Sequence, residues 1–352
     1  MKPAAGSLQQ DGVLVTKSKD IGRVFGKSRF GSMQSKNHLH LDFIEACFLV
    51  EENKLIVYNE GERICWEDLI SVAAVNQQTF ETNYLIYRDL RRRGHQLKLL
   101  KDHELFTFFT KNQQEPDQPA AFIACFSERE LCTINLLSTL LNHTNQEKSL
   151  CWLAIADEEG DITYYDLNSH PLTGIQKPMS FNKSTGILLR DRVLIFNESI
   201  AQTLYEKEFF GKTFGKGLQI SLVEALYLVK NNFLSIHTSK ERKISEKKLE
   251  TIIEHHQNDI NQRFIVYCDL KKRGLIVKTG FKFGNHFRAY TKHPDNTHAE
   301  YLIHAVSSSY SLGWAEVSRA IRLAHSVNKI FLFASIYKEK NVSYLAFKRI
   351  RP

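Results

Sequence analysis

Three residues in the last third of the chain carry groups suited to proton transfer and charge stabilisation: Tyr290, His298 and Lys329. Histidine titrates near pH 6.5 and suits general acid work at neutrality. Lysine is a compact positive charge that stabilises a developing anion. A free tyrosine holds its proton to about pH 10, and only a nearby cation such as Lys329 or Arg288 would lower that. Taken singly, each residue also has a structural reading. Tyr290 is an aromatic at a core edge, His298 an exposed residue at a helix start, and Lys329 a solvated charge ahead of a buried strand.

The chain contains its own control for these readings, because it is a duplication with an offset of about 180 residues. Tyr87-Arg-Asp-Leu-Arg-Arg-Arg-Gly94 reappears as Tyr267-Cys-Asp-Leu-Lys-Lys-Arg-Gly274, and Ile44-Glu-Ala-Cys-Phe-Leu-Val50 as Val223-Glu-Ala-Leu-Tyr-Leu-Val229. Phe30-Gly31 matches Phe210-Gly211, Ala154 meets Ala334 and Tyr164 meets Tyr344. The period is far too long for a solenoid; a whole subunit has been copied in tandem. Where the second copy has Tyr290 the first has Phe109, where it has Lys329 the first has Ser149, and no histidine lies between Phe109 and Phe122. Scaffold chemistry should survive in both copies. Polar groups confined to one copy point to function.

The elements that must position these groups follow from periodicity. Short strands are predicted at 13–15 and 193–196, apolar helices at 43–50 and 222–229, and a polar helix at 245–256. A helix over 258–273 carries Phe264, Tyr267 and Leu270 on one face and ends at Gly274. Strands are expected at 275–278 and 287–290, helices at 298–306 and 314–325, and strands at 329–337 and 342–349. The glycines of Gly280-Phe-Lys-Phe-Gly284 read as turns. On the helix at 314–325, Trp314, Val317, Ile321 and Ala324 form the buried stripe, while Arg319 and Arg322 face elsewhere. Each copy is therefore expected to be α/β with mixed sheets, an N-terminal α/β domain preceding a C-terminal one. The expected divisions are 1–82 and 83–170 for the first copy and 184–257 and 258–352 for the second. The linker at 171–183 contains Pro171, Gly174 and Pro178.

Composition narrows the function classes. Residues 1–170 hold 18 Lys/Arg against 24 Asp/Glu, a balance of −6, while residues 181–352 hold 28 against 15, a balance of +13. A basic half suits a polyanion such as RNA. Six scattered cysteines form no CxxC pair and read as reduced residues of a cytoplasmic protein. No apolar run approaches the ~20 residues of a membrane span, and no signal-peptide core opens the chain. His255 and His256 are adjacent, so on a helix they point apart. Acidic pairs around a lysine, as metal-dependent nucleases use, are missing from the sequence. No metal and no cofactor is expected.

The run of motifs Tyr267–Gly274, Lys278-Thr-Gly-Phe-Lys-Phe-Gly284, Phe287-Arg-Ala-Tyr290, His298-Ala-Glu-Tyr-Leu and Arg322-Leu-Ala-His-Ser-Val-Asn-Lys329 resembles the archaeal tRNA-splicing endonuclease family. With the duplication, it resembles the fused two-unit form that works as a homodimer. The resemblance implies a nuclease-like C-terminal α/β domain in each copy and a catalytic triad of Tyr290, His298 and Lys329 in the second. It also implies a metal-independent cut of precursor tRNA at bulge–helix–bulge structures, leaving a 2′,3′-cyclic phosphate and a 5′-hydroxyl. Arg322 falls where the family stacks an arginine on a bulged base; Arg349 is the candidate second arginine and Arg288 a further RNA contact. Family members dock an acidic loop on a neighbouring subunit. Here Asp157, Glu158, Glu159 and Asp161 occupy that turn in the first copy, against Lys338-Glu-Lys-Asn341 in the second. The competing reading is a non-catalytic RNA-binding structural subunit of a splicing complex.

Overall fold

The computed structural model describes residues 2–352 apart from 35–36, 101–104, 111–117, 257–258, 295–296 and 338–340, and for 27–28 the backbone alone. It separates into two compact units. The first comprises residues 1–130, 140–166 and 349–352, and the second residues 131–139 and 167–348.

In the second unit the chain first builds a six-stranded sheet, in which Gly217–Ser221, Arg192–Ile195, Ser184–Leu188 and Leu234–His237 are consecutive neighbours. The helix Leu222–Lys230 starts here because Ser221 and Glu224 form a capping box that satisfies its first amide groups. The other Glu224 oxygen accepts from the Gly211 amide at 2.9 Å, so one buried carboxylate ties helix start to loop. The first unit repeats the device. Glu45 accepts from the Gly31 amide at 2.9 Å, and burial pushes its carboxyl up to about 7.

The second part opens with the helix Ile260–Lys272. It ends as the sequence predicts. Gly274 takes φ 78°, its amide donates to Lys271, and that of Leu275 donates to Leu270, the paired bonds of a Schellman motif. Beneath the helix the strands Ile276–Thr279, Phe287–Tyr290, Tyr301–Ser307, Ile330–Ile336 and Val342–Ile350 lie in that order. All neighbouring pairs are antiparallel except Tyr301–Ser307 with Ile330–Ile336, which are parallel. The helix Trp314–Ser326 makes the crossover that a parallel pair requires. Its buried stripe is Trp314, Val317, Ile321 and Ala324, as expected.

One expected element is overturned. Residues 298–306 do not form a helix; residues 297–300 are irregular and Tyr301–Ser307 is a strand. The strand lies between two others, with Leu302, Ile303, Ala305 and Val306 all buried. A strand covered on both faces loses its polar alternation, and a short apolar run then reads equally well as helix.

The first unit has the same strand order over Gln96–Leu100, Leu105–Phe109, Ala121–Ser127, Leu150–Ala156 and Ile162–Ser169. The Tyr164 hydroxyl donates to Asp89 at 2.6 Å, and the Tyr344 hydroxyl donates to Asp269 at 2.6 Å. Hydrogen bonds to a charged group contribute about 1.5–3 kcal/mol each, and duplication has kept both. The expected linker is pinned in the second unit: Leu172 is buried, and the Gly174 and Gln176 amides donate to Arg273 and Gly274 at 2.9 Å. A methyl group at Gly174 would lie 2.0 Å from the Gly274 carbonyl oxygen, which explains the glycine.

Candidate active site

Register places Tyr290 and Lys329 at one end of the second unit's sheet, and His298 lies two residues before Glu300 in the segment that leads into it. Ala289 pairs with Tyr301 and Tyr301 with Ile330. One step further along, Tyr290, Glu300 and Lys329 therefore stand abreast. The backbone confirms the register: the Glu300 amide donates to Ala289 at 3.1 Å and the Ile330 amide to Glu300 at 2.9 Å. Two strand spacings of about 4.8 Å put the Tyr290 and Lys329 backbones roughly 10 Å apart.

Each residue is held differently. Tyr290 ends its strand and is 7% exposed, clustered with Ile276 and Ala299, with Phe209 packed against them. Buried Ala299 anchors the irregular segment before Tyr301–Ser307. His298, its neighbour, is exposed at the rim. Residues 295–296, shortly before His298 in sequence, lie outside the described residues. Lys329 is set by the end of the helix Trp314–Ser326. Asn328 adopts φ 51°, its amide donates to His325, and the Lys329 amide donates to Ala324 at 2.9 Å. This is again a Schellman pair, with asparagine in the left-handed position. The first copy makes the same turn through Lys148 at φ 51°, but it presents Ser149, whose hydroxyl donates to the Pro119 carbonyl at 2.7 Å. The turn belongs to the scaffold and the lysine only to the second copy.

Arg288 shares the sheet face of Tyr290, since residues two apart on a strand point the same way. Its guanidinium carbon lies 5.9 Å from the Tyr290 ring centroid. It stands directly opposite Lys278, whose ammonium donates to the Gly211 carbonyl at 2.9 Å. Burial lowers the Lys278 pKa, and Arg288 lowers it further. Like charges facing across strands destabilise a sheet. The first copy avoids the clash with Thr107 opposite Lys98. Among the described residues the Arg288 Nε is buried without a hydrogen-bond partner. Such a pair suits a site that receives an anion.

Arg322 is exposed on the last turns of the helix Trp314–Ser326, its Nη2 2.9 Å from the Ser318 hydroxyl. Arg349, also exposed, lies on Val342–Ile350 and falls in the first unit. The acidic residues form the turn between Leu150–Ala156 and Ile162–Ser169, all of them exposed. Asp157 Oδ1 closes that turn by accepting from the Glu159 and Asp161 amides at 3.0 and 2.9 Å, and Glu158 pairs with Arg129. The second copy's counterpart residues 338–340 lie outside the described residues.

Two features are not apparent from the sequence. The segment between Ile276–Thr279 and Phe287–Tyr290 is a single helical turn, Phe281–Phe283, and it reaches the site: the Lys329 ammonium sits 5.7 Å from the Phe283 ring centroid. Beside the start of the strand Phe287–Tyr290, the end away from Tyr290, His286 and His304 stack at 4.1 Å. His286 Nδ1 accepts from the Ala305 amide at 3.0 Å, so its Nε2 carries the proton and faces Asp259 at 3.1 Å. Burial, then His304 and Arg263, lowers the His286 pKa to about 3. These partners are far apart in sequence, and no spacing announces them. A further contact, the Thr291 hydroxyl donating to Glu300 at 2.6 Å, closes the turn that follows Tyr290. Among the described residues no group of three or more His, Cys, Asp or Glu side chains is arranged to hold a metal ion, and no helix is long and apolar enough to cross a membrane.

Comparison with known proteins finds relatives along most of the chain. A sequence model of the tRNA intron endonuclease catalytic C-terminal domain matches residues 260–344, the region holding Tyr290, His298 and Lys329. A model of that family's N-terminal domain matches twice, at residues 4–70 and 184–250. A tRNA-splicing endonuclease of Methanococcoides burtonii is 34% identical over 352 residues, covering 97% of this chain and 98% of the relative. One from Methanosarcina barkeri is 30% identical, covering 97% and 99%. A third, from Methanothermobacter thermautotrophicus, is 35% identical over 162 residues, which are 46% of this chain but 94% of the relative. A relative matched almost whole by under half of this chain is what tandem duplication of one subunit predicts. With its N-terminal domain present twice and near full-length relatives at this identity, the chain belongs to the tRNA intron endonuclease family.

Proposed function

We propose that this chain is the endonuclease that removes introns from precursor tRNA, cutting at bulge–helix–bulge structures through chemistry supplied by Tyr290, His298 and Lys329. The observation that carries the reading is the confinement of these groups to the copy matched by the family's catalytic domain, at one end of one sheet. The 2′-hydroxyl of the RNA is the nucleophile. As its oxygen bonds to phosphorus, its proton passes to Tyr290, acting as the phenolate. His298 gives a proton to the departing 5′-oxygen as the phosphorus–oxygen bond breaks. Lys329 stabilises the extra negative charge on the phosphorane. The products are a 2′,3′-cyclic phosphate and a 5′-hydroxyl. Arg288 holds a phosphate, and Arg322 and Arg349 contact unpaired bases, whose splayed geometry rather than sequence is recognised. Cleavage is expected to persist in excess EDTA once the RNA is folded, with cyclic phosphate and 5′-hydroxyl ends. Loss of activity on metal removal, or products ending in 3′-hydroxyl and 5′-phosphate, would overturn the mechanism.

The proposal extends to assembly as a homodimer. The turn of Asp157, Glu158, Glu159 and Asp161 is exposed and pre-shaped by its own bonds. The second copy holds the positive excess of +13 over residues 181–352. Complementary charge of this kind selects partner and register, and a two-fold arrangement closes it. The acidic turn of one chain therefore meets the second copy of its partner. Reversing Glu158, Glu159 and Asp161 to lysine, with Asp157 kept because its carboxylate shapes the turn, should yield monomers with depressed cleavage. Light scattering and a cleavage assay on one preparation decide this; a variant that stays dimeric and fully active assigns the interface elsewhere.

A further inference from the structure

Phe281 is 86% exposed, an unusual place for a phenylalanine in the second copy. The turn that carries it is tightly built. The Phe283 amide donates to Gly280 at 2.8 Å, the Gly284 amide to Phe281 at 3.0 Å and the Gly280 amide to His286 at 3.1 Å. Buried Asn285 donates from its side chain to the Phe283 carbonyl at 2.7 Å. A methyl group on Gly280 would come within 2.8 Å of the Asn285 and Phe287 backbone, so the chain approaches itself as closely as glycine permits. The exposure of Phe281 is held in place by this frame. Two residues along the same turn, Phe283 packs under the Lys329 ammonium at 5.7 Å, and Lys282 between them is exposed. In the first copy the sequence between Gln96–Leu100 and Leu105–Phe109 is Lys-Asp-His-Glu, with no phenylalanine, tyrosine or tryptophan. The exposed ring thus accompanies Tyr290, His298 and Lys329 in one copy.

We propose that Phe281 is a stacking platform for an unpaired RNA base beside the bond that is cut, with Lys282 meeting the adjoining phosphate. The proposal rests on the RNA-cleaving function above and adds a base-binding position to it. A rigid aromatic face presented to solvent next to cations is what single-stranded bases stack upon, and stacking tolerates any base because each has a π-face. Seated there, the base fixes its nucleotide relative to Lys329, through the turn that both aromatic residues share.

The test uses the full-length chain and bulge–helix–bulge RNAs in which each bulge nucleotide in turn is 2-aminopurine or abasic. Phe281→Ala should raise KM about tenfold, the effect of losing one stacked base. One 2-aminopurine position should be quenched by the wild-type chain and not by Phe281→Ala, while Phe281→Trp restores both signals. With an abasic nucleotide at that position, Phe281→Ala should have no further effect. Wild-type cleavage with unchanged KM and quenching in Phe281→Ala overturns the platform alone. A Phe281→Ala variant whose oligomeric state shifts, with RNA binding intact once the dimer is restored, also overturns it and makes Phe281 a contact between copies. A wild-type chain that cuts no bulged RNA sinks the RNA-cleaving reading and this proposal with it.

Discussion

His298→Ala is expected to cut with a turnover lowered by roughly 10²–10⁴-fold, the usual effect of removing a general acid, while RNA binding stays near the wild-type level. The structure supports that split. His298 is exposed at the rim, one residue from the buried Ala299 that anchors the segment, so its truncation leaves the packing intact. The measurement is single-turnover cleavage at saturating RNA, with binding followed separately. A second substrate sharpens it. If the scissile 5′-oxygen is replaced by sulfur, the leaving thiolate departs without a proton, and His298→Ala should approach the wild-type rate. Turnover in His298→Ala comparable to wild type, or a thio substrate that rescues nothing, removes His298 from the acid role.

Lys329→Ala should lose about 10²–10³-fold in turnover, as removal of one group that stabilises transition-state charge generally does. Losses from Lys329 and His298 should not add when combined, since the groups act in one transition state. The fold provides a companion test of position. Asn328 holds φ 51° at the end of the helix Trp314–Ser326 and thereby sets Lys329 at the start of the strand Ile330–Ile336. Glycine adopts that conformation freely and a β-branched residue does not. Asn328→Gly should therefore keep activity, and Asn328→Val should lose much of it although Lys329 remains. Circular dichroism and thermal melting separate this from general unfolding. Equal activity in Asn328→Val and wild type would show that the position of Lys329 is not set by this turn.

Much of the molecule was legible in the sequence. Duplication showed in repeated motifs at one offset. The helix Ile260–Lys272 and its Gly274 end, the buried stripe of Trp314, Val317, Ile321 and Ala324, and the strand Phe287–Tyr290 all follow from local rules: periodicity and a left-handed glycine. The family resemblance pointed to Tyr290, His298 and Lys329, and comparing the copies supported it without any distance, because a scaffold retained twice exposes what only one copy carries. Register then gave that comparison its geometry, setting Phe109 across from Gln96 as Tyr290 is across from Ile276.

What only the tertiary structure decided shares one physical cause. Residues 301–307 became a strand because neighbours cover both faces, and covering is a property of the sheet rather than of the run itself. The turn Phe281–Phe283 looked like punctuation between strands. Its reach to Lys329, 46 positions away in sequence, depends on how the chain folds back across the sheet. The stack of His286 on His304, and the facing charges of Arg288 and Lys278, arise from register between separate strands. Sequence pattern determines which way a side chain points within its own element. Which distant side chain it meets is determined by the packing of elements, where burial and pairing are satisfied together over the whole unit.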